Sequence, residues 1–345
     1  MLSMHLTQEL ASSIVGQTTM STSTARGEHH SREGVGFLVS VAFVGLAAVR
    51  DVYLGGLFQR VSPLVVAMVA FSLCTLVLLP TALVYSRDSL VVLRRRPGAL
   101  VWVNITSAIA WLAFLAALRL IEPSVVQILY SGIGPLSVVW IDRHVPGAAA
   151  PAVPLTRTER PIYFALVASL VFAATVAVGG LSGVGVQPVG VTALGVVLAA
   201  AGGISISVST MQCRRLNDAG VTPSALLSLR YPATALSAAA LASLSSAGLP
   251  AALSWVDAFM AIASLLIIVP SYVNQVAISL ASPLTVRVVL ATAPALIFFV
   301  QLVEGRLAAS PYSLTAAILY AVVAVSAGFA RQRAIRSAAL SEQGA

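Results

Sequence analysis

The sequence predicts an all-α integral membrane protein with ten transmembrane helices in two inverted five-helix repeats. Three observations support this fold class. Of the 345 residues, 58% are hydrophobic and only 9% are charged, whereas a soluble protein carries about 25% charged residues. The apolar residues form ten runs of membrane-spanning length. Finally, spaced residues in the first half of the chain recur in the second half at an offset of 160 positions.

The ten predicted spans are set by the thickness of a membrane. A hydrocarbon core of about 30 Å requires roughly 20 apolar residues in a helix. Proline at the joints 121–123 and 281–283 predicts tight hairpins in which the next helix begins at the proline. The spans are residues 36–56, 62–85, 99–120, 123–142, 162–181, 188–212, 222–246, 254–279, 283–303 and 311–330.

The spans divide the chain into two repeats with polar ends. Residues 1–34 are polar and rich in Ser, Thr and His, which predicts a disordered cytoplasmic tail. The remaining predicted segments are a first repeat with helices 1–4 (35–144), a Pro-rich cytoplasmic loop (145–161), helix 5 of the first repeat (162–185), a second repeat with helices 6–10 (186–331) and a cytoplasmic C-terminal tail (332–345).

The arginines predict the orientation in the membrane. All 20 basic residues are arginines. If the N-terminus is cytoplasmic, fourteen lie on the cytoplasmic side and only Arg50, Arg60, Arg119 and Arg306 lie on the opposite side. By the positive-inside rule both termini are therefore cytoplasmic, and we expect a multi-pass protein of the plasma membrane. The net charge of +8 does not indicate nucleic-acid binding, because the arginines form no basic face with interleaved aromatic residues.

The internal repeat carries the first functional inference. The segment ALRLIEPSVVQILYSGIGP (117–135) resembles AISLASPLTVRVVLATAP (277–294), with Pro123 matching Pro283. The offset also places Phe71 over Tyr231. A repeat of five spans is odd, so its second copy enters the membrane from the other side. Inverted repeats of this kind are typical of transporters that work by alternating access, with the solute site near the midplane between the copies.

These segments resemble the EamA-type members of the drug/metabolite transporter superfamily. The resemblance rests on the two repeated segments, on Glu304-Gly305 ten residues after Pro294, and on RYP at 230–232. It implies ten helices and the movement of a small solute, often the export of metabolites, amino acids or drugs. The first copy departs from the pattern, with Ala70 and Phe71 in place of the Arg-Tyr pair and with Asp142 only seven residues after Pro135.

Arg230 is the principal candidate for solute binding. It lies eight residues into the seventh span, roughly 12 Å deep at 1.5 Å per residue, and an ionisable group inside a bilayer indicates function. Pro232 has no N–H and leaves the carbonyl of Ser228 without its helical partner. An anionic group could meet the Arg230 guanidinium here, beside Tyr231. The alternative is a structural role that holds two helices together.

Other polar residues within spans are candidates for the lining of the same cavity. They could orient a ligand in an apolar pocket or form hydrogen bonds between helices. Arg287 is close enough to its helix end for its side chain to reach the interface instead. The candidates are Asn104, Gln127, Tyr130, Tyr272, Asn274, Gln275 and Arg287.

A gate is predicted at the outer ends of the helices. Neighbouring residues do not face each other on a helix, so Arg50 is expected to pair with Glu122 or Glu304 and not with Asp51; a plain interfacial anchor is the alternative. Pro135 and Pro294 should kink their helices. The kinks could act as hinges or only as features of packing.

Several functions are not supported by the sequence. An intramembrane hydrolase needs a nucleophile–base pair, but the only histidine outside the N-terminal tail is His144, in a loop. We therefore expect no enzymatic activity, no cofactor and no metal. The acidic residues lie near span ends, which favours diffusion or exchange of a neutral, zwitterionic or anionic solute over proton coupling. The expected partners are a small-molecule solute and the lipid bilayer; a membrane scaffold or flippase accessory is the alternative function.

Overall fold

The chain folds into a bundle of helices. The computed structural model describes residues 34–144, 156–244, 258–281 and 283–343, and in these ranges it contains no strand. The described helices are α1 (Gly34–Leu57), α2 (Pro63–Tyr85), α3 (Arg87–Arg95), α4 (Pro97–Leu120), α5 (Pro123–His144), α6 (Glu159–Val178), α7 (Val189–Asp218), α8 (Pro223–Arg230), α9 (Pro232–Ser243), α10 (Ala258–Leu280), α11 (Pro283–Leu290), α12 (Ala293–Glu304) and α13 (Pro311–Gln343).

Eight of these helical segments are long and apolar enough to cross a membrane: α1, α2, α4, α6, α7, the α8–α9 pair, α10 and α13. Many of their large apolar side chains face outwards and are exposed, such as Phe164 at 77% and Leu236 at 70%. A protein that exposes such side chains over whole helices is covered by lipid. The chain is thus an all-α, multi-pass membrane protein, as the sequence predicts.

Two helix boundaries differ markedly from the predicted segments. Helix α6 begins at Glu159, inside the segment predicted as a loop, because Pro161 in its first turn needs no N–H partner there. Helix α13 continues to Gln343, through most of the predicted C-terminal tail. The predicted N-terminal tail up to residue 33 and the loop residues 145–155 lie outside the described residues.

The short helix α3 lies between the second and third predicted spans, and no apolar run predicts it. Its sequence RDSLVVLRR is amphipathic, with Leu93 fully buried. The buried Ser89 hydroxyl donates to the carbonyl of Gly220 at 3.3 Å and accepts from the Thr222 N–H at 3.0 Å. Helix α3 thus lies against the turn between α7 and α8.

Two of the predicted spans are broken. The seventh breaks at Tyr231, where α8 ends and α9 begins at Pro232. The ninth consists of α11 and α12, with Pro294 in the first turn of α12. Pro135 lies inside the continuous helix α5. A proline begins the helix after each break and cannot donate to the preceding turn.

Glycines on α7 determine how closely α7 packs against its neighbours. A Cβ atom at Gly203 would collide with the carbonyl oxygen of Tyr130 and with Ile133 on α5. At Gly202 it would lie 3.2 Å from the carbonyl oxygen of Ala110 on α4. Small residues allow helices to approach this closely in membranes, so the GG pair fixes α7 against α4 and α5.

Candidate functional site

The centre of the candidate site is the Arg230 side chain at the end of α8, which is only 3% exposed. Its Nε donates to Ser107 Oγ on α4 at 2.8 Å, one terminal nitrogen to Ser209 Oγ on α7 at 3.1 Å, and the other to Gln275 Oε1 on α10 at 3.3 Å. No carboxylate among the described residues lies within ion-pair distance. A guanidinium has five N–H donors, and three hydrogen bonds leave two of them free for another acceptor.

The break between α8 and α9 positions this arginine, and Asn104 on α4 stabilises the break. The Asn104 amide donates to the Leu229 carbonyl at 2.6 Å, and its oxygen accepts the Ala233 N–H at 3.2 Å. In a continuous helix these two backbone groups would bond to each other. Asn104 therefore replaces a missing helical hydrogen bond, and both of its polar ends are occupied by backbone atoms.

Aromatic rings separate Arg230 from a second buried arginine. The Arg230 guanidinium lies 5.3 Å from the Tyr231 ring centre, and the Arg50 guanidinium lies 5.3 Å from the Trp111 ring. Trp111 and Tyr231 pack edge to face at 6.5 Å, with Phe71 in contact with both rings. Cations over ring faces are stabilised by the ring quadrupole. The site is thus an aromatic wall with a guanidinium at each side.

The pairing expected for Arg50 was wrong. Its Nε lies 2.6 Å from Asp51 Oδ1, with both side chains buried, because the long arginine side chain reaches back to the adjacent carboxylate. The other Asp51 oxygen has no hydrogen-bond partner. Glu122 and Glu304 have other partners: Glu304 lies 3.1 Å from Arg306, and Glu122 is bound by neutral donors.

Glu122, in the link between α4 and α5, is 1% exposed. One of its oxygens accepts from Ser124 Oγ at 2.6 Å and from Gln301 Nε2 at 3.0 Å. The other accepts from the Gly183 N–H and from Ser313 Oγ, both at 2.7 Å. The carboxylate therefore joins four segments of the chain at one end of the bundle, which we call the Glu122 end.

Of the remaining predicted site residues, Gln275 lies at Arg230, Gln127 and Tyr130 are buried or partly buried elsewhere in the bundle, and Tyr272 lies on its outside. Gln275 contacts Arg230 and donates to Asn217 at 3.4 Å, and Gln127 is 5% exposed with an unpartnered side-chain oxygen. Tyr130 packs its ring 4.6 Å from Phe114 in the core. Tyr272 is 41% exposed on the outside of the bundle and does not join them.

Two further predicted residues are not placed at Arg230. The Asn274 side-chain oxygen is buried and without a hydrogen-bond partner, but no contact joins it to Arg230. Arg287 belongs to α11, and its side chain lies outside the described residues. Whether any of these residues binds a solute remains a prediction.

Sequence reasoning missed the two serines that hold Arg230. Ser107 and Ser209 lie 2.8 Å apart, oxygen to oxygen, and come from distant parts of the chain. Nothing in their local sequence marks them, although small polar residues recur along ISISVS on α7. Trp111 was also missed; its buried Nε1 has no partner, and a tryptophan in the middle of an apolar span would have been the signal.

The fold and this site define a multi-pass membrane protein with a buried cationic centre. The described residues contain no group of three or more His, Cys, Asp or Glu side chains that could hold a metal ion. No family model and no curated protein matches the sequence. A solved structure, described only as "Crystal structure of protein", matches 88% of this chain and 98% of its own, with a TM-score of 0.58 and 20% identity. At that identity the match shows a shared fold alone.

Proposed function

We propose that this protein is a transporter of small organic solutes of the EamA type, which works by alternating access. In this proposal α5 and the α11–α12 pair also cross the membrane, which gives ten spans in two inverted five-helix repeats. Both termini are then cytoplasmic and the protein resides in the plasma membrane, in agreement with the arginine distribution. Export is the direction that the family resemblance suggests.

The helix starts support the repeat. Pro63 begins α2 and Pro223 begins α8, while Pro123 begins α5 and Pro283 begins α11. Each pair of prolines is 160 residues apart, and each proline occupies the first position of its helix. Helix α2 also packs against α8 and α9, which are its counterparts in the second repeat. Inverted-repeat transporters bind their solute between such halves.

The observation that carries the proposal is the buried Arg230, which has no carboxylate partner among the described residues. Burial of a charge is costly unless it is paired, and an ionisable group in a span indicates a solute or ion path. Three neutral oxygens satisfy part of the guanidinium but do not neutralise its charge. A solute with a carboxylate or phosphate group would supply the missing negative charge and would bind the free donors in a fork geometry.

The alternative function is a non-transporting scaffold or a flippase accessory. It is favoured by the same three hydrogen bonds, because Arg230 joins α8 to α4, α7 and α10. In that case the guanidinium would be a purely structural link between helices. The two functions differ in one respect: a transporter must exchange solute, and the exchange must depend on the arginine.

Counterflow in proteoliposomes tests the proposal. Vesicles with wild type or Arg230→Ala are preloaded with amino acids, with organic anions and sugar phosphates, or with lipophilic cations. The proposal predicts exchange of anions or zwitterions that Arg230→Ala abolishes. Arg306→Ala is the matched control, because Arg306 is a partly exposed arginine paired to Glu304, and it should exchange as wild type does. No exchange in any pool would favour the scaffold, and exchange of cations alone would contradict the anion site.

A further inference from the structure

The Glu122 end of the bundle carries a second buried charge, which no described cation neutralises. Both carboxylate oxygens are fully used, each by two donors at 2.6–3.0 Å. Three of the donors are neutral side chains and one is a backbone N–H. We propose that Glu122 is the latch that closes the solute path at this end of the protein. This inference rests on the proposed transport function.

The latch joins the two predicted repeats. Glu122 and Ser124 belong to the first repeat, whereas Gln301 and Ser313 belong to the second. Gly183, between α6 and α7, lies at the end of the first repeat. Alternating access requires the two halves to separate at one end at a time. The hydrogen bonds from Gln301 and Ser313 cross between the halves, so this end cannot open while they are intact.

Neighbouring contacts make the latch a closed unit. The Gln301 oxygen accepts the Ser124 N–H at 2.9 Å, which caps the start of α5. The Ser310 hydroxyl donates to the Leu181 carbonyl at 2.5 Å, and the Ala308 N–H donates to the Gly183 carbonyl at 3.2 Å. The segment between α12 and α13 is therefore bound to the segment between α6 and α7 directly above Glu122.

The chemistry of the latch suits repeated opening. A buried carboxylate loses the water that solvates its charge. Without a cation nearby, only hydrogen bonds from the protein compensate for this loss. When the end opens, water can replace all four donors, because a carboxylate is among the best-hydrated groups in proteins. The free energies of the closed and open states therefore differ by little, although the interactions lost and gained on opening are each large. A closure of the same size made of apolar side chains would gain no such compensation from water and would strongly favour the closed state.

The test uses a single reporter cysteine one turn inwards from the latch. Val126 is fully buried and lies four residues after Glu122, on the same side of α5. In a background with Cys74→Ala and Cys213→Ala, Val126→Cys is exposed to a membrane-impermeant maleimide in right-side-out and inverted vesicles. The change tested is Glu122→Gln, which keeps the shape of the side chain but puts an NH₂ group against two donors.

We expect Glu122→Gln to accelerate labelling roughly tenfold or more from one face only, since each hydrogen bond to a charged group contributes about a factor of ten. The predicted topology makes that face the outer one. The matched control is Glu304→Gln, which removes a carboxylate at the same end whose partner Arg306 is partly exposed. It should change the rate by less than about twofold, as for an exposed pair.

Equal labelling in the Glu122→Gln and Glu304→Gln variants would overturn the latch, and so would equal acceleration from both faces. If Glu122→Gln does not fold, Ser313→Ala removes one donor only, and a smaller acceleration from the same face is expected; no acceleration there also contradicts the latch. Labelling needs no solute, so the two proposals fail separately. Accelerated labelling without counterflow supports the latch and rejects transport, whereas counterflow with unchanged labelling does the reverse.

Discussion

Two buried charges of the bundle, Arg230 and Glu122, are opposite in sign and differ in how completely they are satisfied. Arg230 makes three hydrogen bonds and has two N–H donors left. Glu122 accepts four hydrogen bonds and has its oxygens fully occupied. Neither has a partner of opposite charge among the described residues. Arg50 and Asp51, by contrast, neutralise each other at 2.6 Å.

The difference separates a binding group from a closing group. A charge with unused donors can accept a ligand without giving up an existing contact, as Arg230 can. A charged group whose hydrogen-bonding positions are all occupied, as in Glu122, cannot bind a further group. Its contacts can change only by breaking. The partners also differ: the two serines at Arg230 bond to each other through their side chains at 2.8 Å, whereas around Glu122 the Ser124 backbone N–H bonds to the Gln301 side-chain oxygen at 2.9 Å.

The largest expected effect concerns stability. Glu122→Ala leaves four donors without their acceptor and should lower the free energy of unfolding by about 3 kcal/mol or more, because each unsatisfied buried group costs roughly 1–3 kcal/mol. Arg230→Ala should cost about 1 kcal/mol, since Ser107 and Ser209 keep their mutual hydrogen bond. Thermal unfolding of the purified variants in one detergent measures both. A greater loss for Arg230→Ala would reverse the comparison.

A second prediction concerns the helices that connect the two regions. Gly203→Ala forces α7 away from Tyr130 on α5 and should destabilise the protein by about 1–3 kcal/mol, as overpacking of a core does. Since α5 begins at the Glu122 end and α7 carries Ser209, both regions should loosen together. The control is Gly190→Ala, where a Cβ atom meets open space. If both alanines have the same effect on the melting temperature, the close approach of α7 is not important.

The third prediction separates positioning from binding. Asn104→Ala removes both partners of the broken turn from Leu229 to Ala233, which contains Arg230, and should cost about 1–2 kcal/mol of stability. It should weaken anion exchange without changing the labelling of Val126→Cys. Thr106→Ala is the control on the same helix, because Thr106 bonds only to carbonyls of its own helix. Accelerated labelling in Asn104→Ala would show that the two regions are not independent.

The smallest expected effect comes from a single serine. Ser107→Ala removes one of three neutral partners of Arg230 and should change stability by about 0.5–1.5 kcal/mol. The freed Nε donor is then available to solute, so the affinity for anions should fall by less than about tenfold. Equilibrium binding of a radiolabelled solute measures this. Complete loss of binding would mean that the serine, and not the arginine, contacts the solute.

The sequence was sufficient to predict an all-α, multi-pass membrane protein, and it singled out Arg230 as a candidate residue. Composition and span length predict the membrane helices, because both follow from the thickness and polarity of a bilayer. Arg230 and Pro232 stand out in their apolar span for the same reason. The starts of α2, α5, α8 and α11 follow from their prolines.

The partners of these residues could not be predicted, because they depend on how distant helices pack. Ser107 and Ser209 meet Arg230 only after the glycines of α7 bring that helix against α4. The donors to Glu122 come from residues 124, 183, 301 and 313, and no local pattern relates them. Arg50 was assigned the wrong acid because the rule for helix neighbours concerns Cβ positions, whereas a long buried side chain can fold back.

Solute-dependent stabilisation of the purified protein tests most directly whether Arg230 binds the solute. Wild type and Arg230→Met, which keeps an unbranched side chain without charge, are melted with and without organic carboxylates, sugar phosphates and amino acids. A ligand at 100 times its Kd stabilises the folded state by about 2.7 kcal/mol. We expect at least one anionic or zwitterionic solute to stabilise wild type in this way and not to stabilise Arg230→Met. Equal stabilisation of both proteins would contradict the assignment of Arg230 as the solute-binding residue.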